Sequence, residues 1–227
     1  MEDNRLILSM LGALLDYPDQ TLIVVLDEIR AALAGHAGLP PGTRAALIDL
    51  VDRLSARPLL DLQEDYVDIF DRGRATSLYL FEHVHGESRE RGQAMVDLLA
   101  MYEAKGLYLG AGELPDYLPV FLEFLSHETS AQAHALLGEI ADINRQIATR
   151  LAERGTPYFA AVAALLPLAG EPPLANAAVC DGAATREVDG EALDREWQEE
   201  PVSFLGAQAP LSRESQPIQF YDTRPSR

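Results

Sequence analysis

Two histidines one residue apart, His83 and His85, stand between Glu82 and Glu87 and are the residues best spaced for metal chemistry. In an extended segment both imidazoles would point to one side. A zinc site needs a third protein ligand and an outer shell of orienting groups, and this spacing supplies neither. There is also no H-E-x-x-H helix. A hydrogen-bonding or surface role is therefore the expected one and no metal is expected, with a small metal-binding protein or metalloenzyme using His83 and His85 as the alternative. The carboxylate pairs Asp68/Asp71 and Glu113/Asp116 could do acid–base work if buried, but helix capping and solvation account for them. The glycines at 106, 110 and 112 follow a helical segment and lead toward Pro115, whereas the dinucleotide fingerprint needs a strand before it. Cys180, the single cysteine, has no base beside it. It also excludes an intrachain disulfide and any cysteine-built zinc or iron–sulfur site. No catalytic constellation results, and no enzyme is expected.

A binding surface fits these residues better. Between Leu60 and His127 the aromatic residues Phe70, Tyr79, Phe81 and Tyr117 alternate with Asp71, Glu82, His83, His85, Glu87, Asp116 and Glu123. Helix-like periods flank this stretch, but its middle lacks one. In a helical protein such a set can form a groove for an amphipathic peptide, the apolar part giving area and the acidic rim steering a basic ligand. Phe70, Tyr79, Phe81 and Tyr117 would line it, and Glu82, Glu87, Asp116 and Glu123 would form its rim. Arg72 and Arg74 would order the 70–88 loop through Asp71 or Glu82. A core of aromatics with a solvated edge is the competing explanation.

Helices must position these residues. Leu6, Met10, Ala13 and Leu14 keep helical spacing up to the break at Tyr17-Pro18-Asp19. A second helix is expected from about Gln20 to Leu33. A third, capped by Thr43, carries Ala46, Leu47, Leu50, Val51 and Leu54. From Pro58 a fourth runs to Phe70-Asp71, where Arg72 and Arg74 would complement the helix dipole. Ser88 would cap a fifth, with Met95, Leu98, Leu99 and Tyr102 as its stripe. Pro115 fits the first turn of a sixth, which buries Leu118, Phe121, Leu122 and Leu125. Thr129 and Gln132 resemble a capping box opening the longest helix, Ser130 to Glu153. Thr156-Pro157 begins a short apolar segment ending near Leu168.

From Gly170 the composition changes: six of the fourteen prolines lie from Pro172 onward, and eleven acidic residues face five arginines. Residues 1–169 are expected to form one all-α domain and 170–227 an acidic, mostly extended tail, with Trp197, Val202 and Phe204 able to dock back. The chain carries 18 basic against 36 acidic residues, a net charge of −18. That disfavours nucleic acid and anionic membranes as partners. The acidic N-terminus argues against a signal peptide and no uncharged run reaches membrane-spanning length, so a cytoplasmic location is expected.

The central block, Phe70-Asp71-Arg72-Gly73-Arg74 followed by Leu80 to Met95 (LFEHVHGESRERGQAM), closely resembles the assembly chaperone (delta subunit) family of respiratory nitrate reductase, within the redox enzyme maturation chaperones. Glu113-Leu114-Pro115-Asp116-Tyr117-Leu118-Pro119 looks like that family's second signature, which usually carries His where this chain has Tyr117. Trp197 to Phe204 looks like a weaker tail element. The likeness covers Leu6 to Leu168. It implies an all-helical bundle without turnover, and binding of the N-terminal segment of the catalytic alpha subunit in the cytoplasm. It also implies that the apoenzyme is kept competent for molybdenum cofactor insertion before membrane attachment, with the insertion machinery as a further partner and no cofactor held by the chain itself. A permanent structural subunit would be the alternative to a transient chaperone.

Overall fold

Helix α1, Arg5–Leu15, lies at the centre of the fold because its sequence is apolar on all but one narrow side. Ile7, Leu8, Met10, Leu11, Leu14 and Leu15 are all buried. The structure is a computed structural model that describes residues 4–84, 89–110 and 112–174. After α1, Asp19 caps α2, Gln20–Gly35, by accepting the Leu22 N–H at 2.8 Å. That hydrogen bond holds the Asp19 carboxyl below its ordinary range. Helix α3, Pro41–Ser55, pairs with α2 through buried Leu47, Leu50, Val51 and Leu54 and an exposed Arg30–Asp52 ion pair. Helix α4, Leu59–Tyr66, runs into a π-helical turn, Val67–Asp71. Next come α5, Arg89–Glu103, and α6, Leu118–Ser126. The remaining helices are α7 (Ser130–Glu139), α8 (Ala141–Glu153), α9 (Phe159–Ala163) and α10 (Leu165–Leu168).

The all-α architecture is as expected, and among the described residues the one β-type pairing is an isolated bridge between Tyr79 and Tyr117. Two packings position the site. Helix α6 lies along α1, and the backbones approach so closely that a Cβ on Gly12 would stand 3.3 Å from the Pro119 carbonyl oxygen. On the other side α9, whose Ala160, Ala161 and Val162 are almost wholly buried, is wedged among α1, α3 and α8.

Four boundaries differ from expectation. Helix α3 begins at Pro41, so Thr43 lies inside it; the fixed proline φ suits a first helical position, and no side-chain cap forms. Pro115 lies in the turn closed by the Tyr117 N–H on the Leu114 carbonyl, and α6 starts at Leu118 with Pro119 in its first turn. The segment 130–153 is two helices broken at Ile140, just after Gly138, a residue that weakens a helix interior. Thr129 does accept the Gln132 N–H, while the two side chains bond each other instead of completing the reciprocal box. The body also continues past 169, since Leu174 packs on the core and Glu171 pairs with Arg145. Beyond 174 the expected tail, Cys180, Trp197, Val202 and Phe204 lie outside the described residues, as do Ser88, His85 and Glu87.

Candidate functional site

The two stretches singled out in the sequence meet. Leu80 donates its N–H to the Asp116 carbonyl at 2.9 Å, and Leu118 donates to the Leu78 carbonyl at 2.8 Å. Between them the Tyr79 and Tyr117 rings stack at 5.2 Å. The Asp116 side chain fixes the junction from inside: its Oδ2 accepts the Phe81 N–H at 3.1 Å, and the residue is completely buried. Its Oδ1 has no hydrogen-bond partner among the described residues, and the Arg91 guanidinium stands 3.8 Å from Oδ2 and 3.7 Å from Glu82. Burial raises the Asp116 pKa, opposed by the Phe81 N–H and by Arg91.

Asp116 is therefore no part of an exposed rim. The reason is its place in the turn before α6, where its carboxylate substitutes for a backbone acceptor. Phe70 likewise does not line a surface. Its ring packs 4.7 Å from Tyr66 and 5.2 Å from Tyr158 and is only 5% exposed. The π turn puts it there, and two donors hold that turn by the Ile69 carbonyl: Arg154 at 2.9 Å and the Thr76 hydroxyl. Tyr79, Phe81, Glu82 and His83 are half-buried, and Asp71 is exposed. His83 Nε2 is 2.9 Å from the Ser77 carbonyl, so its ring orders the loop. Arg72 pairs with Asp68 at 3.0 Å rather than with Asp71, and Arg74 reaches the Glu82 carbonyl at 3.5 Å. Among the described residues no three His, Cys, Asp or Glu side chains are grouped to hold a metal.

Tyr117 points out of this junction toward α1. Its hydroxyl is 2.6 Å from that of Tyr66 and 3.2 Å from Asp16 Oδ1, and Tyr66 donates to the Leu15 carbonyl at 2.8 Å. Burial pushes both phenols far above their usual pKa, so they remain neutral donors.

Beside Tyr117 and Asp16 opens a groove of about 370 Å³. Its floor is the exposed side of α1 (Ser9, Ala13, Asp16) and the neighbouring side of α6 (Val120, Glu123, Phe124). The loop after α5 forms its wall with Leu107, Tyr108, Leu109 and Glu113. That loop is built to stand up. Gly106 and Gly112 turn the chain at φ values of 77° and 94°, conformations that favour glycine. Glu113 accepts the Gly110 N–H at 2.8 Å, Tyr102 donates to the Pro115 carbonyl at 2.8 Å, and Lys105 pairs with the buried Glu128 at 2.8 Å. Tyr108 stands 78% exposed on it. Among the described residues the lining carries three carboxylates (Asp16, Glu113 and Glu123) and no Lys or Arg. Of the carboxylates singled out in the sequence, Glu123 and the loop residue Glu113 line it. Ser9 donates to Glu123 at 3.2 Å, and His127 lies 3.2 Å from the same carboxylate. The α1 contribution was missed because the apolar period of that helix takes in Leu6 and Ala13, whereas both are exposed. The available signal was the opposite stripe, Ser9, Ala13 and Asp16, at spacings of four and three.

The described residues thus form an all-helical body with an acidic, partly apolar groove. The fold is that of a solved structure from Archaeoglobus fulgidus described as a redox enzyme maturation protein. The match has a TM-score of 0.54 at 22% identity and covers 73% of this chain and 93% of that one. The family described as nitrate reductase delta subunit matches residues 36–164, and the chain belongs to it. Two relatives from Escherichia coli K12 are each 43% identical and described as nitrate reductase molybdenum cofactor assembly chaperones. NarW matches over 96% of this chain and 91% of its own length, and NarJ over 87% and 84%. A NarJ relative from Bacillus subtilis is 30% identical over 69% of this chain and 84% of its own length. These relatives are chaperones by description, not catalysts. No helix among the described residues is long and apolar enough to cross a membrane.

Proposed function

We propose that this protein is a cytoplasmic assembly chaperone of respiratory nitrate reductase. It binds the N-terminal segment of the catalytic alpha subunit and keeps the apoenzyme competent for molybdenum cofactor insertion before membrane attachment. The observation that carries the reading is the groove between α1, α6 and the 107–113 loop: apolar and acidic side chains are mixed along it, and it has no Lys or Arg among its described lining residues. Such a groove suits an amphipathic helical segment, whose apolar face fills the floor and whose basic residues meet the carboxylates. Tyr117 borders the groove through Asp16, and Glu123 contributes to its edge. Tyr79, Phe81, Glu82 and His83 supply further contacts to the client, and a contact role is proposed for His85 and Glu87 as well. The chain carries no cofactor; the cofactor and its insertion machinery meet the client that the chain holds.

The test is capture of the alpha subunit from cells that make it with and without its first residues. Retention of the full-length apo subunit and loss of the truncated one is expected. Equal retention of both would remove the N-terminal segment from the reading, and stable co-purification with the mature membrane enzyme would replace a transient chaperone by a permanent subunit.

A further inference from the structure

We propose that Asp16 sets the charge specificity of the groove: it receives one Lys or Arg side chain of the bound segment, and the Tyr66–Tyr117 pair holds it in place to do so. The proposal rests on the reading of the groove as the client site and adds which residue reads the client's charge.

Three observations lead to it. Asp16 is the last cap of α1, donating its own N–H to the Gly12 carbonyl at 3.0 Å, so its carboxylate sits at the negative end of that helix. A second negative charge is disfavoured there, and the last turn of α1 contains no basic residue to offset it. What holds the carboxylate is neutral: the Tyr17 N–H at 2.8 Å and the Tyr117 hydroxyl at 3.2 Å, both on Oδ1. Oδ2 faces no donor among the described residues.

The protons on the two phenols sharpen this. Tyr66 donates to the Leu15 carbonyl, and in that arrangement its oxygen accepts from Tyr117. Tyr117 then has one proton for two acceptors, Tyr66 at 2.6 Å and Asp16 at 3.2 Å. The two contacts share it, and Asp16, which is exposed, is held in position with its second oxygen open to solvent. An ammonium or guanidinium arriving along the groove can replace that solvent and cancel the charge at the helix end. All three carboxylates meet donors of the protein's own: Glu113 the Gly110 N–H, Glu123 Ser9 and His127, and Asp16 the Tyr17 N–H and Tyr117. Asp16 is the one of the three that caps a helix C-terminus, where an incoming cation also offsets the helix dipole.

The experiment is a titration of wild type, Asp16→Asn and Tyr117→Phe with a peptide copy of the alpha-subunit N-terminal segment. A set of copies in which each Lys or Arg is replaced singly by Gln completes the matrix. Asp16→Asn is expected to weaken the parent peptide roughly tenfold and to melt no lower than wild type. One neutralised peptide should lose the same factor on wild type and nothing further on Asp16→Asn. Tyr117→Phe should lose a smaller factor, about threefold, against that same peptide position. Unchanged affinity in Asp16→Asn, or an equal further loss against every neutralised peptide, overturns the assignment while leaving the groove as the client site. Should Asp16→Asn melt lower, Asp16→Ser is titrated in its place under the same criteria. Failure of wild type to bind the parent peptide overturns the client reading and this assignment with it.

Discussion

The junction of residues 70–82 with 113–118 and the floor made by α1 and α6 are built on opposite plans. At the junction, aromatic and acidic side chains point inward. Phe70 is packed between Tyr66 and Tyr158, and Asp116 is sealed off with one oxygen unpartnered. At the floor, regular helices bury their aliphatic side chains and leave a plain outer stripe that faces solvent together with Tyr108. Within the motif that looks most like a receptor in the sequence, Phe70 and Asp116 belong to the frame, while Tyr79, Phe81, Glu82 and His83 are half-buried. The groove beside it is lined by residues without distinctive types. Irregular backbone explains the division: a π turn, short 3-10 turns and a single bridge leave polar backbone groups that neighbouring side chains must satisfy.

The largest expected effect separates frame from contact. Phe70→Ala removes a buried ring from an aromatic cluster and should cost about 3–5 kcal/mol of stability, read by denaturant unfolding. Peptide affinity per folded molecule should change little. An affinity loss as large as the stability loss would make Phe70 a contact residue and erase the contrast. The reverse pattern is expected for Tyr108→Ala. Its ring is open to solvent, so unfolding should move by no more than about 0.5 kcal/mol, whereas peptide binding should weaken by about 2 kcal/mol, measured by calorimetry. A Tyr108→Ala protein that binds normally would take the loop out of the site.

The smallest effect concerns pH. Burial holds the Asp116 carboxyl above its ordinary value of 3.8, so the folded state favours the protonated form. The resulting penalty is fully present above the folded pKa and is relieved as pH falls through it toward 3.8. Asp116→Asn keeps an acceptor for the Phe81 N–H and removes the charge. It should match or exceed wild-type stability at neutral pH, with the advantage shrinking as pH falls through that window. An advantage that grows on acidification would reverse the sign and mean that Arg91 outweighs burial.

Much of the fold is legible in the sequence. The apolar periods of α3 and α6 identify the sides they bury, whereas that of α1 includes Leu6 and Ala13, which are exposed, and the central block points to the family that the comparisons establish. Helix ends were less legible. Pro41 and Pro119 outweigh Thr43 and Pro115 as starts because a cap competes with whatever the chain does one turn earlier. The break at Ile140 is visible only as Gly138 inside an otherwise helical period. Within the site, Glu113, Glu123 and Tyr117 could be picked out by type and context, but Asp16 could not. Its role depends on Tyr117 reaching across 101 residues of sequence, and no local pattern encodes that contact.

The groove itself is tested most directly by photocrosslinking. A peptide copy of the alpha-subunit N-terminal segment, carrying a benzophenone on its apolar face, is irradiated with the full chain and the adducts are mapped by mass spectrometry. The account predicts adducts on α1 residues 9–16, on the 107–113 loop and on α6 residues 119–124, and their loss when unlabelled peptide competes. Competable adducts confined to α2, α3 or α7, with none on those three segments, would contradict it.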